Sequence, residues 1–324
     1  MNDSAAIDVL ISSHNPDADR LRATLIALET QTMPKDRYSL LIVDNASSEP
    51  FDARGHRLIR EERLGLAYGR LAGIKNTMAP LIVFVDDDNA PDSNYLERAK
   101  TLMDAHPEVG MAGGRSSPQW DEKAIIPEWL NEFYGPLAVR DLGPEILIES
   151  AASPLKYPAC APIGAGMVVR RAALSAWLGS MNAAEVVTGR QGNELASGED
   201  CDMVLHAIKA GWSVAYFPEL QLAHLIPSAR VTTPYLARLN QGIAKSWVQL
   251  LDRHGICPWP AIPGWSAPLR KMRAWLSYSA WNGKANYVRW KGACGHFDGL
   301  AANYKKHQTS RQKPNTTLAD YERW

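Results

Sequence analysis

A chain of 324 residues, 46% hydrophobic and 22% charged, has the composition of an ordinary soluble globular protein and is long enough for one large core with an appendage. No apolar run approaches the roughly 20 residues that cross a bilayer, which argues against a membrane span. The four scattered cysteines (Cys160, Cys201, Cys257, Cys294) form no CxxC pair, arguing against a zinc site or a disulfide scaffold and suiting a reducing cytoplasm.

The N-terminus, Met1 to Ala6, has no basic start followed by an apolar stretch, so a cytoplasmic protein is expected. The formal net charge of zero conceals a split. From Ile226 to Trp324 there are 15 basic against 4 acidic residues, a formal +11, balanced by −11 over the first 225. Seven of the 11 tryptophans also fall after Ile226. Composition alone therefore divides the chain into 1–225 and a basic, Trp-rich region 226–324.

Along the chain, Ile7–Ser12 reads as a strand, and Asn15-Pro16 as the start of a helix carrying Leu21, Leu25 and Leu28 on one face. Ser39–Val43 is a second strand ending at Asp44-Asn45, and a helix follows from Gly65 to Met78. The apolar run Leu81–Val85 reads as a buried strand of a parallel sheet. Ser93 is placed to cap a helix over 94–105, which Pro107 closes. Strands alternating with helices predict an α/β, mostly parallel, doubly wound sheet. Residues 115–160 read as long loops, with a strand resuming at Gly164–Arg171. Residues 182–198 lack apolar periodicity and read as a mobile lid. A helix at 200–210, a strand at Ser213–Phe217 and helices from Thr233 to Gly255 and from Pro268 to Trp281 complete the pattern. The last dozen residues, after Gln312, read as frayed.

Two acidic clusters carry the chemistry. Asp86, Asp87 and Asp88 arrive together at the C-terminal end of a buried strand, where ligands of open α/β sheets sit. Their mutual repulsion would be relieved by a hard, oxygen-seeking cation, although acidic residues also suit plain turns. Glu199-Asp200 opens a helix, where the dipole favours carboxylates and lowers their pKa whether or not they react. Asp44 could meet a base or ribose, or cap a turn. His224 could ligate a metal or be a satisfied core histidine. Gly164 and Gly166 would let a ligand approach the backbone closely. The tail fits an anionic membrane interface or an ordinary solvated face. Nucleic acid is not expected, since no binding module is recognisable.

The ordered set Val9–Asn15, Leu41–Ser47, Gly65–Ile74, Val83–Asp88 (a DxD signature), Pro162–Arg170, Gly198–Asp202 and His224–Pro227 resembles family 2 glycosyltransferases of the GT-A fold. More narrowly, it resembles bacterial enzymes of exopolysaccharide and hormogonium-polysaccharide synthesis. The resemblance covers about residues 7–250. It implies a metal-dependent, inverting transfer from a nucleotide sugar, with a UDP-sugar expected, to a saccharide or lipid-linked glycan. Ser12, Asn15, Asp44, Arg70, Asp86, Asp87, Gly164 and Gly166 would line the nucleotide-sugar site. Asp88, with His224, would hold Mn or Mg; Asp200 would be the base and Glu199 would position the acceptor. The chain departs from the family in one place, having Arg70-Leu71 where Arg-Asn is usual. The basic tail would make peripheral contact with the inner face of the membrane. The rivals are a non-catalytic sugar-nucleotide-binding or scaffold subunit and a nucleotidyltransferase. The latter would carry a glycine-rich, Lys- or Arg-bearing loop after the first strand, and Ile11–Pro16 has none.

Overall fold

The computed structural model describes residues 5–152, 154–181 and 198–312, and the chain divides into two units after Leu236. The expected lid over 182–198 lies outside the described residues except for Gly198, as does the frayed end after Gln312.

In the first unit, β1 (Ile7–Ser13), β2 (Tyr38–Asn45), β3 (Arg57–Glu61) and β4 (Leu81–Val85) run parallel in the order β3-β2-β1-β4. The sheet continues through β8 (Met167–Arg170), antiparallel to its neighbours, to β6 (Val109–Trp120) and β9 (Ser213–Ile226), which pair in parallel. Two short strands, β5 (Asn89–Pro91) and β7 (Leu147–Glu149), lie antiparallel on β9. Every residue of β4 is buried, as a strand covered on both faces requires. Leu21, Leu25 and Leu28 of α1 (Ala18–Glu29) pack into one core with Tyr95, Leu96, Ala99 and Met103 of α3 (Tyr95–Ala105) and the strands.

Several expected boundaries move, each for a local reason. Helix α1 starts at Ala18, where Asp17 accepts the Arg20 amide at 3.1 Å, so Asn15-Pro16 is not its cap. Asn15 instead sits left-handed at φ 50°, which asparagine tolerates. The residue at the cap of α3 is Asn94, not Ser93. The expected loop region beginning at residue 115 opens inside β6, which continues through Gly113-Gly114. The register with β9 shifts there, and a Cβ on Gly114 would lie 1.9 Å from the Leu220 carbonyl. The glycine lets two strands stay paired across an irregularity, so β6 runs on to Trp120 and β9 to Ile226. His224 is therefore inside a strand rather than after one.

In the second unit, α6 (Thr233–Arg253) begins before the division, and α7 (Ala267–Ser277) and α8 (Lys284–Gln312) follow. The 29 residues of α8 carry glycines at 292, 295 and 299, which weaken a helix by propensity and hid it from the sequence reading. Spaced by three and four, they share one face, and α6 lies against it. A Cβ on Gly295 would stand 2.0 Å from the Gln241 carbonyl oxygen, and one on Gly299 would stand 2.8 Å from Cβ of Val248. Close backbone packing outweighs propensity here.

Gly295→Ala should therefore lower unfolding stability by about 2–3 kcal/mol through overpacking. The same change at Gly179, in α4 (Ser175–Met181) with open space around it, should be neutral or stabilising. Thermal unfolding of the two variants distinguishes them, and equal shifts would remove the packing explanation.

Candidate functional site

Helix α2 (Leu66–Lys75) is fastened directly over β1 and β2. The Asn45 side chain accepts the Gly65 amide at 2.8 Å and donates to the Arg63 carbonyl at 2.7 Å. Cβ atoms on Gly69 and Gly73 would meet Ser12 Oγ at 2.0 Å and a Leu10 methyl at 3.1 Å. That tight seating fixes Arg70, whose side chain is only 3% exposed. Its Nη1 lies 3.4 Å from Glu199 Oε1 and its Nη2 3.7 Å from Asp86 Oδ1, with the guanidinium 5.0 Å over the Phe84 ring. Burial works against the charge on Arg70, but Glu199, Asp86 and Asp200 outweigh it and raise its pKa. Arg70 thus joins the two acidic clusters that lie far apart in sequence. Its neighbour Leu71, where the family has Asn, is buried and supplies no polar contact.

At the end of β4 the chain turns with the Asn89 amide on the Asp86 carbonyl at 3.1 Å, and the three carboxylates diverge. Asp86 faces Arg70. Asp87 accepts from the Ser13 hydroxyl, and burial together with Asp88 and Asp86 pushes its pKa up to about 6. Asp88 accepts from Arg230 Nη1 at 2.7 Å and lies 3.5 Å from His224 Nε2. Burial raises the Asp88 pKa, but His224 and Arg230 prevail and drive it well below the usual carboxylate range.

The second cluster opens α5 (Glu199–Lys209). Glu199 is 2% exposed, and its Oε2 is buried with no hydrogen-bond partner. Burial, reinforced by Asp200, Asp86 and Asp202 against Arg70, pushes its pKa up to about 7. The helix dipole predicts the opposite direction for this cluster; at Glu199 desolvation wins. Asp200 is only half-buried, accepting the Gly164 amide at 3.0 Å on Oδ2 and the Cys201 amide at 2.9 Å on Oδ1.

The two glycines differ in what approaches them. A Cβ on Gly164 would stand 2.8 Å from Arg70 Nη2, so that glycine clears the guanidinium. At Gly166 (φ 70°) the close approach comes from Tyr95 and Leu222, and the Tyr95 hydroxyl donates to its carbonyl. Core packing, rather than a ligand, accounts for Gly166.

At the edge of this region, Asp44 accepts the Ser47 amide at 2.9 Å and Arg60 Nη1 at 2.6 Å, beside a cavity of about 350 Å³ that Ser47, Ser48 and Arg60 also line. Burial raises the Asp44 pKa, but the bonds from Ser47 and Arg60 outweigh it and leave it lowered. Asn15 Oδ1 accepts from the Ser48 amide and hydroxyl, both at 2.9 Å, which shapes the loop at this cavity. Ser12, by contrast, turns its hydroxyl against Gly69 and away from any partner.

The sequence reading missed Ser13, Arg60 and Arg230. Arg60 stands opposite Asp44 in the β2–β3 register, and Arg230 follows His224 by six residues; only a strand pairing for Arg57–Glu61 would have exposed the first. Arg230 also bears on a metal. The carboxylate of Asp88 suits Mn or Mg as a donor, whereas the imidazole of His224 suits Mn better than Mg. The space between them, however, is shared with Arg230 Nη1, 3.4 Å from His224 Nε2, and His224 Nδ1 has no hydrogen-bond partner. A divalent ion bound by Asp88 and His224 would compete with Arg230 for that space.

The pattern of the family described as Glycosyl transferase family 2 matches residues 8–175. A stretch of 107 residues is 28% identical to Glycosyltransferase AglE of Haloferax volcanii, covering 30% of this chain and 35% of that protein. The chain thus matches about a third of that relative's length. Crystal structures of S. aureus TarS 1–349, alone and in complex with UDP, align with 93% of this chain and 92% of theirs, at 14% identity and a TM-score of 0.46.

Two measurements probe the site. An unfolded glutamate releases its proton near 4.5, whereas Glu199 holds it to about 7, so its stabilising contribution is present below 4.5 and lost as pH rises to 7. Calorimetric unfolding should show stability declining across that window relative to Glu199→Gln; parallel curves would refute the raised pKa. Arg230→Gln should cost about 2–3 kcal/mol without metal, because buried Asp88 loses its nearest cation and keeps only His224 and Asn89. It should also tighten Mn binding roughly tenfold by titration calorimetry, equivalent to about 1.4 kcal/mol. Unchanged Mn affinity would mean that Arg230 and the ion do not compete.

Proposed function

The chain belongs to glycosyl transferase family 2, and we propose that it is an inverting enzyme moving a sugar from a UDP-sugar to a saccharide or lipid-linked glycan in polysaccharide synthesis. It is a glycosyltransferase with an α/β fold of the GT-A type. The observation that carries this reading is the pairing of Arg70 with both Asp86 and Glu199, which brings the acidic turn and the head of α5 to one place.

In this reading Asp44 and its cavity receive the base, and Asp86 and Asp87 face the ribose. Asp88, with His224, would hold Mn or Mg, which when bound offsets the negative charge developing on the departing diphosphate. Arg230 stands ready as the alternative cation. Glu199 is too buried to meet a substrate, whereas Asp200 is partly exposed and held by two backbone amides, an orientation suited to a general base. The acceptor hydroxyl gives its proton to an Asp200 oxygen as its own oxygen bonds the anomeric carbon. The bond to the diphosphate breaks on the opposite face, so the configuration inverts. Glu199, fixed on Arg70, is a positioning residue.

No helix among the described residues is long and apolar enough to cross a membrane. The excess of basic residues and tryptophans after Ile226 supports a peripheral site of action at the cytoplasmic face, with a lipid-linked acceptor.

Asp200→Asn should lower turnover about a thousandfold, the usual range for loss of a general base, with nucleotide affinity by calorimetry nearly unchanged. A variant that keeps most of its turnover would remove Asp200 as the base.

A further inference from the structure

Helix α7 buries two alanines and exposes three of its large apolar residues. Ala267 and Ala274 are buried, while Leu269 (58% exposed), Met272 (61%) and Leu276 (60%) face water. Their spacing of three and four places them in one stripe along the helix. Trp265 (76% exposed) and Trp281 (61%) bracket the stripe at its two ends. Single exposed apolar residues are unremarkable in proteins, but five large ones in and beside one 11-residue helix form a patch that marks an interaction surface.

The helix is held rigidly in this orientation. Trp290 Nε1 donates to the Lys271 carbonyl at 3.0 Å, and the Trp275 ring packs on Trp290 with centroids 4.6 Å apart. Beside the stripe, Arg270, Arg273 and Arg289 line a cavity of about 1120 Å³ together with Tyr278 and Phe297. Arg270 and Arg273 are exposed and make no ion pair among the described residues.

We infer that α7 lies in the plane of an anionic lipid surface, its Leu269–Met272–Leu276 stripe entering the acyl boundary and its arginines meeting headgroup phosphates. Charge selects this occupant. An apolar stripe flanked by guanidinium groups and bracketed by tryptophans complements a bilayer interface of negative charge. A second copy of the chain docked through the same face would bring Arg270 and Arg273 against their own kind, in a region carrying 15 basic and 4 acidic residues. The inference deepens the membrane-adjacent reading above and does not depend on the chemistry at Asp200.

The full chain is to be sedimented with vesicles of phosphatidylcholine alone and of phosphatidylcholine mixed with phosphatidylglycerol. Binding is expected only to the mixed vesicles, weakening as salt rises, with a blue shift of tryptophan emission. The pairs Met272→Glu with Leu276→Glu, and Arg270→Ser with Arg273→Ser, should each reduce partitioning at least about tenfold and leave donor hydrolysis unchanged. Absence of binding by the unaltered chain, or binding by either pair equal to that of the unaltered chain, overturns the proposal. So does a solution dimer, seen by light scattering, that the glutamate pair abolishes, since the face would then belong to a second copy. Loss of vesicle binding with hydrolysis intact, or the reverse, separates this proposal from the catalytic one.

Discussion

A guanidinium buried to 3% exposure among carboxylates is expensive to desolvate, and Arg70 survives in that position because two acidic segments converge on it. The pairing acts in both directions. Without Arg70, Asp86, Glu199 and Asp200 would repel one another across a shared space. Without them the guanidinium would be an uncompensated charge against Phe84. The seating of α2 on β1 through Gly69 and Gly73 holds that side chain where the loop at Gly164 and the entry into α5 meet it. The neighbouring pair Asp88–Arg230 repeats the device, so each arm of the acidic turn ends on a cation or a hydroxyl supplied from elsewhere in the fold.

Much of this was legible from residue order. The fully apolar run Leu81–Val85 could only be a doubly covered strand, and an acidic triplet behind it had to lie at the sheet's ligand-facing edge. What stayed hidden depended on pairing between distant segments. Arg60 reaches Asp44 only because β3 pairs with β2, and β3 is mostly exposed, so no apolar alternation announces it. Residues 115–160 read as long loops, yet at Gly113-Gly114 β6 only slips its register on β9 and runs on to Trp120. At Glu199 two correct local rules conflict, and the larger desolvation effect decides the outcome.

The second unit teaches the same lesson in helical form. Three glycines that lower the intrinsic helicity of α8 admit the backbone of α6, and what propensity loses close packing restores. On α7 two alanines are buried and both leucines exposed, which distinguishes it from an ordinary surface helix.

The ion pairs at the head of the sheet join residues 129 and 142 positions apart. During synthesis, therefore, Asp86 can meet Arg70 early, but the bonds from Arg70 to Glu199 and from Arg230 to Asp88 must wait for more than half of the remaining first unit. Until β9 and Arg230 leave the ribosome, Asp88 lacks both its cation and His224, and the site is unfinished. Such long-range closure slows folding relative to a helical bundle and makes maturation of the site one of the last events in assembly of the sheet.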